Sequence, residues 1–311
     1  MNMTSDDRRE SRADGVCAVV VTYRPDPDFS RRLELIRLQA DHVVVVDNGS
    51  DAALHSGARG QAEVLSQNDN VGLAAALNIG LQRAMALGFR WVVTFDQDST
   101  PFPGMVAALL ATRARQPDPD RVAVVGPRLK EERVVHEDHR WVRPHPRLKW
   151  LFQRAPCREG DLTGVAFVIT SGALMDLRIF RRIGPMDEAL FIDYIDHDYC
   201  LRARRAGYDL VVSQGALLLH NLGAKREFTV AGRSVRPTFH SALRLHYMFR
   251  NRIRVLRRHA LRHPHWALFD CVYTPLNLAR VLFWEDQRMR KLAAAVRGTV
   301  DGLLGRTGRV R

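Results

Sequence analysis

Apolar positions along the chain fall into short runs separated by stretches of helical periodicity. Residues 16–22 read VCAVVVT and residues 43–46 read VVVV, short β-branched runs that predict strands buried on both faces. Between them, residues 29–40 space Leu33, Ile36 and Leu38 among arginines, the pattern of a helix laying one face on a sheet. The alternation continues with a weaker strand over 62–67, a helix over 71–87, a strand over 91–95, a helix over 104–114 and a strand over 122–125. Such alternation predicts an α/β fold, a mostly parallel sheet with helices on both faces, in which ligands gather at the carboxyl ends of the strands. Residues 128–160, rich in Arg, His and Pro, read as a long excursion from the sheet. Apolar character returns over 163–175, short helices are predicted over 176–183 and 195–206, and a closing strand over 217–219. Beyond Gly223 come long amphipathic, Arg-rich stretches, 241–259 and 277–304. The expected organisation is a flexible leader over 1–15, an α/β domain over 16–223 and a basic helical C-terminal extension over 224–311.

Composition sharpens that division. From Ala224 onward 19 Lys or Arg face 5 Asp or Glu, a net of +14, whereas residues 1–223 carry 28 against 29. A basic tail fits an anionic membrane surface or another polyanion, or is simply a solvated helical face. Four scattered cysteines without a CxxC pair argue against a zinc site or a disulfide framework, and a cytoplasmic home is expected. No apolar run approaches the roughly 18 to 20 residues that span a bilayer, and the polar start is unlike a signal peptide. Neither a GxxxxGK[ST] phosphate loop nor a GxGxxG fingerprint is present.

Candidate chemistry sits where predicted strands end. Residues 92–99, VVTFDQDS, end a strand in Asp96-Gln97-Asp98, and strand alternation turns both acids to one side. Two hard oxygen donors there suit a divalent cation that neutralises a diphosphate, or an ordinary polar turn. Asp47-Asn48-Gly49-Ser50 ends another strand, either as a capped turn or with Asp47 accepting from a base imide. Asn70 is a candidate N-cap for the helix that Val71-Gly72-Leu73 opens, leaving free amides beside a nucleotide. Asp193, Asp196 and Asp198 precede or open a helix; three acids so close need a cap, a metal or a proton-transfer role. His220, after a strand and before an Asn-Leu-Gly turn, is either a satisfied structural group or a ligand completing a carboxylate site.

In order, VVVTYRPD, VVVVDNGSD, NVGLAAALNIG, FDQDS, ITSGALMDL, MDEALFIDYIDHDYCLRARRAGYDL and LLLHNLG resemble the inverting family 2 glycosyltransferases of GT-A fold, closest to the bacterial rhamnosyltransferases. The resemblance covers residues 16–223, and Tyr247-x-x-Arg250-Asn251 extends it. It implies that Asp96, Asp98 and His220 hold Mn2+ or Mg2+, with Asp96, Gln97 and Asp98 at the donor diphosphate. It implies that Thr22, Tyr23, Asp47, Asn70, Gly72 and Asn78 contact the sugar nucleotide, and that Asp196 is the catalytic base. Ile195 replaces the first acid of the usual Glu-Asp-x-Asp, so Asp193 and Asp198 compete for that role, with Arg202 beside them in an acceptor or secondary acidic set. The implied donor is dTDP-L-rhamnose, with a UDP sugar such as UDP-galactofuranose as the alternative. The implied acceptor is a cell-surface glycan or lipid-linked saccharide. The tail would rest on the anionic inner leaflet, and the C-terminal helices could pair two copies. The chain lacks the Gln-x-x-Arg-Trp motif of processive synthases, which favours single additions. Three other readings compete: a sugar-phosphate nucleotidyltransferase, against which Tyr23-Arg24-Pro25-Asp26 replaces the expected Gly-rich loop; a nucleic-acid binder acting through the tail, without a recognisable module; and a non-catalytic scaffold, against which the acids are intact.

Overall fold

The computed structural model describes residues 14–50, 60–130, 139–220 and 238–310, with the short pieces 224–225, 228–230 and 233–235. The leader through residue 13 and the Asn221-Leu222-Gly223 turn lie outside the described residues. The first half contains β1 (Val16–Thr22), α1 (Phe29–Arg37), β2 (His42–Asp47), β3 (Glu63–Ser66), α2 (Leu73–Ala86), β4 (Trp91–Asp96), β5 (Thr100–Pro101), α3 (Met105–Ala114) and β6 (Val122–Lys130). The second contains β7 (Arg140–Pro144), β8 (Phe152–Pro156), β9 (Leu162–Thr163), β10 (Ala173–Asp176), α4 (Leu177–Ile183), α5 (Ile195–Arg205) and β11 (Asp209–Leu219). Four short strands, β12 (Ala224–Lys225), β13 (Phe228–Val230), β14 (Arg233–Val235) and β15 (Thr238–Phe239), lead to α6 (Ala242–His259), α7 (Pro264–Trp284) and α8 (Arg288–Leu303).

The central sheet runs β3-β2-β1-β4-β10-β6-β11-β5. Its first four strands are parallel, as expected of valine-rich runs buried on both faces. β10 enters antiparallel between β4 and β6, β11 lies parallel to β6, and β5 and β9 pair antiparallel with β11. α2 turns Ala74, Leu77, Leu81 and Ala84 inward, a helical stripe over the sheet, and Gly80 lets its backbone close on Val19 and Val46. The fold is the expected α/β sandwich of GT-A type.

Three elements differ from the sequence reading. The closing strand is eleven residues long, because Ser213-Gln214-Gly215 breaks its apolar run without ending it: the register with β6 shifts between Val212 and Leu217. The excursion over 128–160 contains the β7–β8 hairpin, whose alternation is hidden by Arg and Pro. Trp141 is buried there, and Phe152 packs edge-on against Phe269 of α7. The helix expected over 277–304 is two helices broken at Glu285-Asp286-Gln287, where buried Glu285 accepts from Arg280 Nε at 3.2 Å and Lys291 Nζ at 2.6 Å.

The helical segment is joined to the main core through Val255 and Trp266. α8 lies directly on α6: a Cβ at Gly298 would stand 2.3 Å from the His246 carbonyl oxygen, and one at Gly302 2.6 Å from that of Arg250. Gly298→Ala must push the two helices apart, and a loss of about 1–3 kcal/mol in urea unfolding is expected. An unchanged midpoint would contradict this close packing.

Candidate active site

Parallel register aligns the carboxyl ends of β1, β2 and β4: Thr22 pairs with Asp47, and Val21 with Asp96. After β4 the chain turns, Ser99 N donating to Asp96 O at 3.1 Å, and enters β5. There Thr100 pairs with Leu219, and this pairing delivers His220 to the Asp96–Ser99 turn. His220 Nε2 lies 3.8 Å from Asp96 Oδ2, and its Nδ1 lies 3.6 Å from Asp98 Oδ1 and 3.1 Å from Ser99 Oγ. Ser171 Oγ bonds to Ser99 Oγ and accepts from Asp96 N at 3.3 Å, tying the turn to the segment before β10. One ligand atom from each of Asp96, Asp98 and His220 fits within 4.8 Å of the others.

This trio suits a hard or borderline divalent cation. Burial pushes the Asp96 carboxyl above its ordinary range; His220 opposes the rise, and the charges of Asp98 and Asp196 add to it. Among the described residues neither Asp96 nor Asp98 forms an ion pair with a Lys or Arg, so a bound cation would supply the missing compensation.

At the β1–β2 edge, buried Asp47 accepts from Thr22 Oγ1 at 3.2 Å and from Ser50 N at 3.2 Å. Gln97 closes the turn after β1, its Oε1 accepting from Tyr23 N at 2.7 Å while its carbonyl accepts from Arg32 Nε at 2.8 Å. Asn70 is not the N-cap of α2. That position is Gly72, at φ 92°, and Asn70 Oδ1 accepts from Gly72 N at 3.0 Å and Asn48 Nδ2 at 3.1 Å. Nor are the first amides of α2 all free: Leu73 N and Ala74 N donate to the Phe191 carbonyl at 2.7 and 3.4 Å. Only glycine fits at 72, since a Cβ would lie 2.6 Å from the Phe191 ring. Asn78 is 1% exposed, and its amide group spans Met186 O at 3.0 Å, Glu188 Oε1 at 2.8 Å and Met186 N at 2.9 Å. It clamps α2 to the acidic segment.

The acidic segment is the strained part of the site. Phe191, Asp193 and Tyr194 all take left-handed backbone angles, φ 63°, 64° and 65°, each costing on the order of 1–3 kcal/mol. α6 holds them. Asn251 Nδ2 donates to Leu190 O at 2.7 Å, Ile192 O at 2.7 Å and Asp193 O at 3.1 Å, Arg250 reaches Leu190 O at 3.1 Å, and Phe191 stacks on Tyr247.

The three acids receive different surroundings. Asp198 bonds Arg202 Nε at 2.8 Å, Arg258 at 2.8 Å and His259 Nε2 at 2.9 Å, contacts that outweigh burial and hold its carboxyl far below the carboxylate range. It is a structural anion. Arg202 spends its remaining donors on Ile183, Gly184 and Pro185 carbonyls and is structural too. Burial pushes Asp193 up, but Arg244 forks onto it at 2.9–3.2 Å. Asp196 forms no ion pair among the described residues; its Oδ1 accepts from His197 N at 2.8 Å, and burial, opposed by backbone amides and the charge of Arg244, pushes its carboxyl up to about 6. Its charge adds to the rise at Asp96. Ser99, Ser171, Arg244 and the Asn251 clamp escaped the sequence reading of the site; amphipathic spacing signalled α6 as a helix, and the Tyr247-x-x-Arg250-Asn251 pattern alone tied it to the site.

Residues 17–184 match the family model Glycosyl transferase family 2. The chain belongs to that family. Among relatives, this glycosyltransferase is 26% identical over 300 residues to the dTDP-rhamnosyl transferase RfbF of Shigella flexneri, covering 94% of the chain and 97% of RfbF. It is 27% identical over 297 residues to the galactofuranosyltransferase GlfT1 of Mycobacterium tuberculosis, covering 90% of the chain and 95% of GlfT1. Among solved structures, GalNAc-T7 with UDP, GalNAc and Mn2+ superposes with a TM-score of 0.59 at 14% identity, over 93% of this chain and 56% of that one. The last likeness supports the GT-A fold. Family membership sets aside the nucleotidyltransferase reading.

Replacing Asn251 with Ala removes the donor to three carbonyls and should cost about 1–3 kcal/mol. Hydrogen exchange should quicken at the Leu73 amide, whose acceptor is the Phe191 carbonyl; exchange as slow as in the parent would show that the clamp does not fix the loop.

Proposed function

We propose that this family 2 glycosyltransferase moves L-rhamnose from dTDP-L-rhamnose to a saccharide acceptor, with inversion and with a divalent cation. The observation that carries the reading is the sorting of acids: among the described residues Asp96 and Asp98 share His220 without a Lys or Arg in contact, while Asp196 forms no ion pair and has a raised carboxyl pKa. Asp96, Asp98 and His220 would hold Mn2+ or Mg2+, which when bound neutralises charge on the leaving diphosphate. Asp196 accepts the proton of the acceptor hydroxyl as its oxygen bonds to the sugar C1 and the bond from C1 to the diphosphate oxygen breaks on the opposite face. Asp47, buried beside Thr22, serves as the acceptor for a pyrimidine imide N–H, and Tyr23, Asn70 and Gly72 border that end of the site. The length over which the chain aligns with RfbF supports the rhamnosyl donor.

A second reading, transfer of galactofuranose from a UDP donor, is favoured by the likeness to GlfT1 over nearly its whole length. The acceptor would be a lipid-linked or cell-surface saccharide handled at a membrane surface. No described helix is long and apolar enough to cross a membrane. α8, however, exposes Met289, Val296, Val300 and Leu303 along one stripe flanked by Arg290 and Arg297, a surface suited to anionic lipid.

With Mn2+ present, dTDP-rhamnose should raise the unfolding temperature more than UDP-galactofuranose at equal concentration; the reverse order would transfer the assignment to the second reading. Because Asp196 must be ionised to accept a proton, kcat/KM should fall as pH drops through about 6, approaching tenfold per unit below it. Burial holds neighbouring His197 near 4, below that limb. A rate independent of pH between 5 and 8 would remove Asp196 from the role.

A further inference from the structure

Away from the Asp96–His220 edge, a cavity of about 290 Å3 opens between α6, α8 and the turn that follows α8. Five arginines line it, Arg250, Arg254, Arg257, Arg258 and Arg306, and no acid does. Their carboxylate partners are few and shared. Asp187 takes Arg254 at 2.9 Å and Arg258 at 3.0 Å; Asp198 takes Arg258 together with Arg202 and His259; Asp301 takes Arg306 at 2.7 Å together with His246. Among the described residues Arg250 and Arg257 bond only carbonyl or amide oxygens: Arg250 reaches Gly308, Ala189, Leu190 and the Asn251 side chain, Arg257 reaches Gly302 and Leu303. Four guanidinium groups, those of Arg202, Arg254, Arg258 and Arg306, thus share three aspartates, and Arg250 and Arg257 add two more without a carboxylate partner among the described residues. Arg258 and Arg306 each use a single terminal nitrogen on these acceptors, leaving most of their five N–H donors unspent.

We propose that this cavity binds a phosphoryl anion, of the size and charge of a diphosphate. Clustered guanidinium forks match phosphate oxygens two at a time, and a ligand with several negative charges offsets the excess that the three aspartates leave. The far wall adds a consequence. Arg250 and Asn251 border the cavity and are the same groups that grip the loop at 190–193, and Ala189, just before that loop, accepts from Arg250 at the cavity wall. An anion bridging Arg254, Arg258 and Arg306 ties α6 to the C-terminal turn and stiffens that grip from behind, without touching the cleft.

The test uses the full-length protein in EDTA, so that the carboxylate trio cannot recruit a cation, and inorganic pyrophosphate as the probe at constant ionic strength. A saturable rise in unfolding temperature is expected. Arg254→Gln combined with Arg306→Gln should weaken pyrophosphate binding tenfold or more, while Arg147→Gln with Arg181→Gln, equal in charge but exposed outside the cavity lining and away from α8, should leave it unchanged. Arg306→Gln alone, at a side chain 67% exposed, keeps the test open if the double variant folds poorly. Flotation with phosphatidylcholine vesicles carrying phosphatidic acid separates the sources: binding lost only in the cavity variants assigns a lipid-borne phosphate, whereas a pyrophosphate response alone assigns a free one. No saturable response to either probe, or one that both pairs of variants reduce equally, would overturn the proposal.

Discussion

Three left-handed backbone positions within four residues, Phe191, Asp193 and Tyr194, cannot hold themselves, and the side-chain amide of Asn251 is what holds them. None of the three is glycine, so each carries strain that a local turn would normally shed. One buried amide donating toward three carbonyls, with Arg250 beside it, fixes the path of the segment. That path sets two things at once. It points the Phe191 carbonyl at the first amides of α2, and it starts α5 so that Asp196 stays half-buried in the first turn while Asp198, two residues on, falls inside the protein.

The chemistry follows from where each carboxylate ends up, because the side chains themselves are identical. Asp198 meets two arginines and a histidine and is locked in its ionised form. Asp193 meets Arg244. Asp196 forms no ion pair among the described residues, so its burial outweighs the backbone amides and the charge of Arg244 that oppose it, and its carboxyl rises to about 6, into the range in which a proton can be taken and released near neutral pH. Asp96 and Asp98 share an imidazole, an arrangement that asks for a cation and not for a proton. The division we propose between a leaving-group site and a base therefore rests on α6 and on the β5–β11 pairing as much as on the acids.

The parallel half of the fold was legible because strands buried on both faces must be continuously apolar, and the valine runs of β1 and β2 admit little else. β11 was only partly legible: its Ser-Gln-Gly interruption reads as an end but is a register shift spanned by β6. The motif acids and His220 could be named from the chain, but their meeting depends on Thr100 pairing with Leu219 across more than a hundred residues. Asn70 and Asn78 show the limit most clearly. A polar side chain beside a glycine-opened helix satisfies protein or ligand equally well on paper, and here Asn78 is consumed by Met186 and Glu188. Asp198 and Arg202 were likewise indistinguishable from site residues until α6 supplied Arg258 and His259.

The central claim is that holding the donor and taking the proton belong to different acids. It is tested most directly by comparing Asp196→Asn with Asp96→Asn in two measurements on each, donor affinity by calorimetry with Mn2+ and turnover onto acceptor. The account predicts that Asp196→Asn keeps near-parental affinity for the donor while losing on the order of 10²–10⁴ in kcat, and that Asp96→Asn loses affinity as well. Full turnover by Asp196→Asn, or equal loss of donor binding in both variants, would contradict it.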